Sequence, residues 1–173
     1  MHPNVRRFAA SFATLLLLAV FAGPSLVSTA KAAPSQWGLP PGYRWGWVNT
    51  DRYDRYGNPA AKTYPYGQCT WGAAYLARHN AYGLHNAKDW TYYARRKGLR
   101  TGTAPRLNAT VVFASHIQGA GSLGHVAHIV RILSGGWFVI REMNFRWNGG
   151  GWGRWDYRYA HAGSGVTFIY ATY

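Results

Sequence analysis

Four side chains in this sequence are of the kinds that carry nucleophilic acyl chemistry: Cys69, His125, Glu142 and Asn144. Cys69 is the only thiol among 173 residues, so no intramolecular disulfide can form. A cysteine placed at a helix N-terminus meets backbone N–H groups and the positive end of the macrodipole, which favour the thiolate, and a neighbouring imidazolium favours it further. Such a nucleophile needs a general base within hydrogen-bond reach, and the base needs a carboxylate or amide to hold its tautomer. His125, Glu142 and Asn144 supply those types. Glu142 is the only glutamate and ends the apolar run Phe138-Val139-Ile140, where a carboxylate requires a partner. Taken singly, the plainer readings are a small buried hydrophobe for Cys69 and a satisfied core histidine for His125.

The elements that must position these groups are legible in outline. Ala73, Ala74, Leu76 and Ala77 suit a helix over 69–80, entered from the breaker-rich Tyr64-Pro65-Tyr66-Gly67, with Cys69 in its first turn. A second helix is predicted over 86–97, with Asn86 as cap, Asp89 in the first turn, basic residues in the last and Gly98 beyond. Strand patterns follow at 110–114, 126–133, 137–142 and 166–170. Helices first and antiparallel strands after make an α+β fold. Ser134-Gly135-Gly136-Trp137 reads as a two-residue type I′ hairpin, because both central positions need positive φ. Pairing Ser134 with Trp137 sets His125 opposite Arg146, on one face with Asn144 and Glu142, whereas a three-residue loop would put them on opposite faces.

Composition narrows the class. Hydrophobic residues make up 48% and charged ones 14%, which excludes a charge-rich disordered chain and leaves room for one packed domain. Residues 1–32 read as a secretory signal: Arg6 and Arg7, an apolar stretch from Phe8 to Phe21 too short for a comfortable membrane span, and the Ala30-Lys31-Ala32 cleavage pattern. The formal net charge is +14, and removing that segment takes three basic residues and no acid, leaving +11. An exported protein of that charge concentrates on anionic partners such as teichoic acids, anionic lipid surfaces or free nucleic acid, among which charge alone does not choose, unless the basic residues simply solvate the surface. Residues 33–63, rich in Trp, Tyr, Gly and Pro without sustained periodicity, read as an extended arm, and 64–173 as the domain.

Beyond single residues, four segments carry a family resemblance: Tyr64-Pro65-Tyr66-Gly67-Gln68-Cys69-Thr70-Trp71, Asn86-Ala87-Lys88-Asp89-Trp90, Gly124-His125-Val126-Ala127 and Glu142-Met143-Asn144-Phe145. In order and spacing they resemble the CHAP family, cysteine- and histidine-dependent amidohydrolases and peptidases of peptidoglycan, and most of all its secreted single-domain antigen-like members. The resemblance implies a papain-like fold with N-terminal helices packed on an antiparallel sheet. It implies Cys69 as nucleophile, His125 as base and acid, Glu142 as the group orienting His125, and Asn144 as support for the histidine or the substrate. Gln68, with the Cys69 N–H, is implied as an oxyanion donor and Trp71 as a substrate-side residue. The expected activity is cleavage of an amide or peptide bond of the wall, as an N-acetylmuramoyl-L-alanine amidase or a stem or cross-bridge endopeptidase. No cofactor is implied. The expected partner is peptidoglycan, with anionic wall polymers besides, and the expected state a monomer outside the cell. Arg141 and His128 depart from the family pattern, and a cation at Arg141 near the groove would favour an acidic stem peptide.

A metal centre is not expected, because His125 and His128 are three apart on a strand and point to opposite faces. Five acids in the whole chain are too few for an oxygen-rich calcium cage at Asp51 and Asp54. His79, His85, His116 and His161 read as surface or packing residues. Nucleic acid is not expected as a partner, since no RNP or zinc-finger pattern accompanies the basic residues. The rival reading is a non-catalytic cationic binder of the wall or membrane surface, without stable insertion.

Overall fold

The computed structural model describes residues 57–146 and 150–172. The predicted signal segment and most of the predicted arm lie outside them. Helix α1 spans Cys69–Leu76 and α2 spans Trp90–Arg96, the latter entered through a 3₁₀ turn at Ala87–Asp89. Six strands follow: β1 Thr101–Gly102, β2 Thr110–Phe113, β3 His125–Ile132, β4 Trp137–Met143, β5 Trp155–His161 and β6 Val166–Ile169. They form one antiparallel sheet in the order β1-β6-β2-β3-β4-β5.

One face of the sheet packs against the helices through Val112, Val126, Met143, Trp155 and Ile169. Its other face curls on itself. Phe138 on β4 and Phe168 on β6 are separated by two strands, yet their rings lie 5.5 Å apart, edge to face. The curled interior is filled by Val111, Phe113, Ala127, Ile129, Phe138, Ile140 and Phe168. Helix α1 sits close against the sheet at Gly72, where a Cβ would come within 2.7 Å of the Met143 Cβ. That approach brings the N-terminus of α1 to the start of β3.

Three features differ from the sequence expectation. Helix α1 stops at Leu76 rather than Asn80, because the Asn58 side chain donates to the carbonyls of Ala77 and His79 at 3.1 and 3.0 Å and gives them extended-chain partners. The turn Pro59–Thr63, expected in the arm, buries Ala60 and Ala61 completely in the helix-side core, so the folded part begins ahead of Tyr64. Strands β1 and β5 were not expected. The first has two residues, and the second, Trp155–His161, carries Asp156 and Arg158 at inward positions where apolar residues mark a strand.

The β3–β4 hairpin corrects the expected register twice. Both glycines have the positive φ that the turn needs, but Leu133 N–H bonds the Trp137 carbonyl and Ile132 faces Phe138, so the ladder encloses three residues, not two. By itself this one-residue slip would send His125 and Glu142 to opposite faces. A bulge between Ile129 and Arg131 adds a second slip, and His128 faces Arg141 beyond it. Two slips restore the face. Carried on, this register sets His125 level with Asn144 instead of Arg146.

Gly124 holds the entry to β3. Its φ is +76°, and a Cβ there would lie 2.7 Å from both the Lys88 nitrogen and the Phe113 carbonyl oxygen, neither of which can move aside. Gly124→Ala is expected to destabilise the fold by about 2–3 kcal/mol, lowering the melting midpoint by roughly 10 °C in calorimetry.

Candidate active site

Cys69 is the first residue of α1, and the backbone preceding it is extended at Gln68. The first-turn N–H groups of a helix have no intrahelical acceptors, so donors converge where the sulfur sits. The sulfur takes hydrogen bonds from the His125 ring and from the Thr70 and Val126 backbone N–H groups. Burial alone would push the thiol up, but the charge and hydrogen bond of His125 with those two N–H groups outweigh it and hold Cys69 below the ordinary thiol range.

His125 opens β3 with its ring buried. Its Nε2 lies 2.8 Å from Glu142 Oε2, which leaves Nδ1 for the sulfur. Burial would lower its basicity, yet the Cys69 charge, the hydrogen bond to the sulfur and then Glu142 raise its pKa to about 9. Depressed thiol and raised imidazole together favour a thiolate–imidazolium pair.

Glu142 is fully buried on β4 and divides its two oxygens. Oε2 faces His125, and Oε1 accepts from Arg158 Nε at 2.7 Å. Burial pushes its carboxyl up, but Arg158 and then His125 hold it below the usual carboxylate range. Across the β4–β5 ladder Asp156 stands directly opposite, also fully buried. Burial first and the Glu142 charge second push Asp156 up to about 9, so Asp156 is neutral where Glu142 is charged. Arg158 reaches this cluster from the same strand, its guanidinium 4.3 Å from the Phe145 ring centroid and 5.1 Å from that of Phe113. Sequence reasoning missed Asp156 and Arg158. Their signal was the alternation of Trp155, Tyr157 and Tyr159 around them, a strand pattern with the polar residues on the inside.

Asn144 is drawn into the cluster by a different partner than expected. Its Nδ2 donates to Gln68 Oε1 at 2.7 Å, and its backbone is left-handed with φ +58°. Binding the Gln68 carbonyl turns the Gln68 amide N–H groups away from Asn144. Gln68, Cys69, His125 and Asn144 all line one open groove of about 500 Å³, walled by Tyr64 and Pro65, by His85 and Asn86, by Leu123 and by Phe145 and Arg146. No acid lines it, and Arg146 is its exposed cation.

Trp71 is corrected. It is 3% exposed, stacked on Tyr75 at 5.2 Å and met edge-on by Tyr66, and belongs to the core between α1 and the sheet rather than to the groove. Arg141 likewise stands away from the groove, its guanidinium 4.4 Å over the Trp155 ring on the helix side. His128 is buried there too, with His79, whose Nε2 contacts Thr110 Oγ1 at 2.9 Å. His125 and His128 thus point to opposite faces, as their spacing required. Among the described residues no group of three or more His, Cys, Asp or Glu side chains could hold a metal, and no helix is long and apolar enough to cross a membrane.

Against known proteins, the model of the CHAP domain family matches residues 58–144. An N-acetylmuramoyl-L-alanine amidase domain-containing protein of Staphylococcus aureus is 33% identical over 90 residues, which cover 48% of this chain and 14% of that protein. The N-acetylmuramoyl-L-alanine amidase sle1 of Staphylococcus haemolyticus is 33% identical over 86 residues, 47% of this chain and 25% of its own length. The chain therefore spans only a quarter or less of these relatives. A crystal structure of an N-acetylmuramoyl-L-alanine amidase from Staphylococcus aureus superposes with a TM-score of 0.56 at 28% identity, covering 63% of this chain and 32% of that one.

Proposed function

The chain belongs to the CHAP domain family, and on that premise we propose that it is a secreted peptidoglycan hydrolase that cleaves an amide or peptide bond of the wall through Cys69. The observation that carries this reading is the line from Cys69 at the α1 N-terminus, through the His125 ring, to Glu142 at 2.8 Å. In the first step the thiolate adds to the carbonyl carbon of the bond to be cut. A C–S bond forms and the carbonyl electrons move to oxygen, where the Gln68 amide and the Cys69 N–H receive the charge. Collapse breaks the C–N bond, and the His125 imidazolium gives its proton to the departing amine. A water then transfers a proton to neutral His125 as it attacks the thioester. Loss of the thiolate yields the carboxylic acid, which gives its proton to solvent, and restores the ion pair.

Throughout, Glu142 holds the ring aimed and stabilises its positive state, while Asn144 serves by turning Gln68. No step calls on a metal or cofactor. The groove has a cation in Arg146 and no acid, which suits a stem peptide bearing free carboxylates. The described surface favours a second reading as well: among the described residues Asp89 is the only Asp or Glu in contact with solvent, so the charged groups of that surface are nearly all cationic and suit wall polyanions.

The decisive experiment incubates the purified chain with isolated peptidoglycan under reducing conditions and reads the released fragments by mass spectrometry. New amino and carboxyl ends confirm hydrolysis and identify the bond. Salt-sensitive binding without release, across several wall types, would favour the binder. The pH profile is a further check. Activity should rise as Cys69 loses its proton below the ordinary thiol range, hold, and fall as His125 loses its own near pH 9, in a plot of kcat/KM against pH.

A further inference from the structure

We propose that Arg158 is a positioning residue for the reacting pair, its buried guanidinium fixing both the charge and the aim of Glu142 from within the curled interior of the sheet. The inference rests on the reading of Cys69 and His125 as that pair. Arg158 is 0% exposed and faces Ile140 across the ladder, yet it reaches along the strand to put Nε 2.7 Å from Glu142 Oε1. The other carboxylate oxygen is thereby left to His125 at 2.8 Å.

Packing does not account for this residue. Among the described residues its two terminal nitrogens have no hydrogen-bond partner, and the guanidinium lies against the Phe113 and Phe145 rings, a place where an apolar chain would fit at lower desolvation cost. What it does is break a symmetry. Glu142 and Asp156 are two buried carboxyls facing one another, and such a pair keeps one proton between them. The cation on Oε1 settles which of the two is charged, and it is the one that faces His125. The charged and titratable groups around Glu142 are His125 from β3 with Asp156 and Arg158 from β5, and those around His125 are Cys69 from α1 and Glu142 from β4. Without Arg158 the proton moves onto Glu142 over part of the pH range. His125 then loses its anion, and the thiolate loses its imidazolium.

The test needs no wall substrate, because Cys69 is the only thiol and its alkylation by iodoacetamide reports the thiolate directly. The alkylation rate is followed from pH 4 to 10 for the wild-type chain, Arg158→Met, Arg158→Gln and Arg158→Lys, each confirmed folded by near-UV circular dichroism. Both neutral variants should move the acid-side midpoint up by about one pH unit, a roughly tenfold slower reaction on that limb, and Arg158→Lys should bring it back towards wild type. Arg158→Gln keeps a donor for Glu142 and supplies the comparison if Arg158→Met does not fold. A midpoint unchanged in a folded neutral variant would overturn the proposal, as would Arg158→Lys behaving like Met. Loss of folding in both neutral variants would assign Arg158 to the fold alone and overturn it equally. A chain that cleaves no peptidoglycan still answers the question, and an unmoved midpoint leaves the hydrolase reading standing.

Discussion

Cys69→Ala is expected to abolish fragment release from peptidoglycan, by about four orders of magnitude or more, while leaving the protein folded and bound to the wall. Alanine is the best helix former, and position 69 is the first of α1, so the helix has no reason to fail. What disappears is the sulfur and with it the largest influence holding His125 protonated. The imidazole pKa should therefore drop from about 9, a change that NMR titration of the ring can follow. With binding kept in either case, lost turnover and a lowered imidazole pKa distinguish a nucleophile from a buried packing thiol, for which neither would follow.

Glu142→Gln should reduce kcat/KM by about 10²–10⁴-fold with a much smaller effect on stability, and the asymmetry follows from Asp156. Glutamine removes the charge that aims and stabilises the His125 ring. It also removes the charge that, after burial, keeps Asp156 protonated. Freed of that neighbour, Asp156 can ionise and serve Arg158 as counter-ion, although it stands opposite Glu142 on β5 and has no contact with His125 nitrogen to offer in its place. The double variant Glu142→Gln/Asp156→Asn leaves the Arg158 guanidinium buried with no carboxylate at all. That state should cost about 3–5 kcal/mol, well above the sum of the single changes in chemical denaturation. Additive stabilities would sink this account.

How much of this was legible in the sequence follows from where polarity and burial agree. Cys69 and Glu142 stood out as the only residues of their types, and His125 and Asn144 by their places in the motifs; the structure lines one groove with Cys69, His125 and Asn144 and holds Glu142 buried behind His125. Four strands and both helices announced themselves by pattern, within a few residues at their ends. Helix α1 ended early because the side chain of Asn58, 19 and 21 residues away, took the carbonyls of Ala77 and His79, a tertiary event with no local trace. Strand β5 escaped because its buried face holds Asp156 and Arg158, the reverse of what marks a strand. Trp71, implied as a substrate-side residue by the resemblance of its segment, stands elsewhere because two residues along a helix from Cys69 is most of the way to its other side.

The paired irregularities of the β3–β4 hairpin work as an insertion and its compensation do in a reading frame. The three-residue tip throws the ladder out of phase, the bulge between Ile129 and Arg131 brings it back, and everything on the catalytic side is read in phase. The frame there is also set independently, since the β2–β3 ladder runs without interruption to His125 and the β4–β5 ladder past Glu142. The distal tip is thus insulated from the groove. Changes of length at Ser134–Gly136 can be absorbed locally by moving or erasing the bulge, whereas a single residue added between the bulge and His125 has nothing left to correct it.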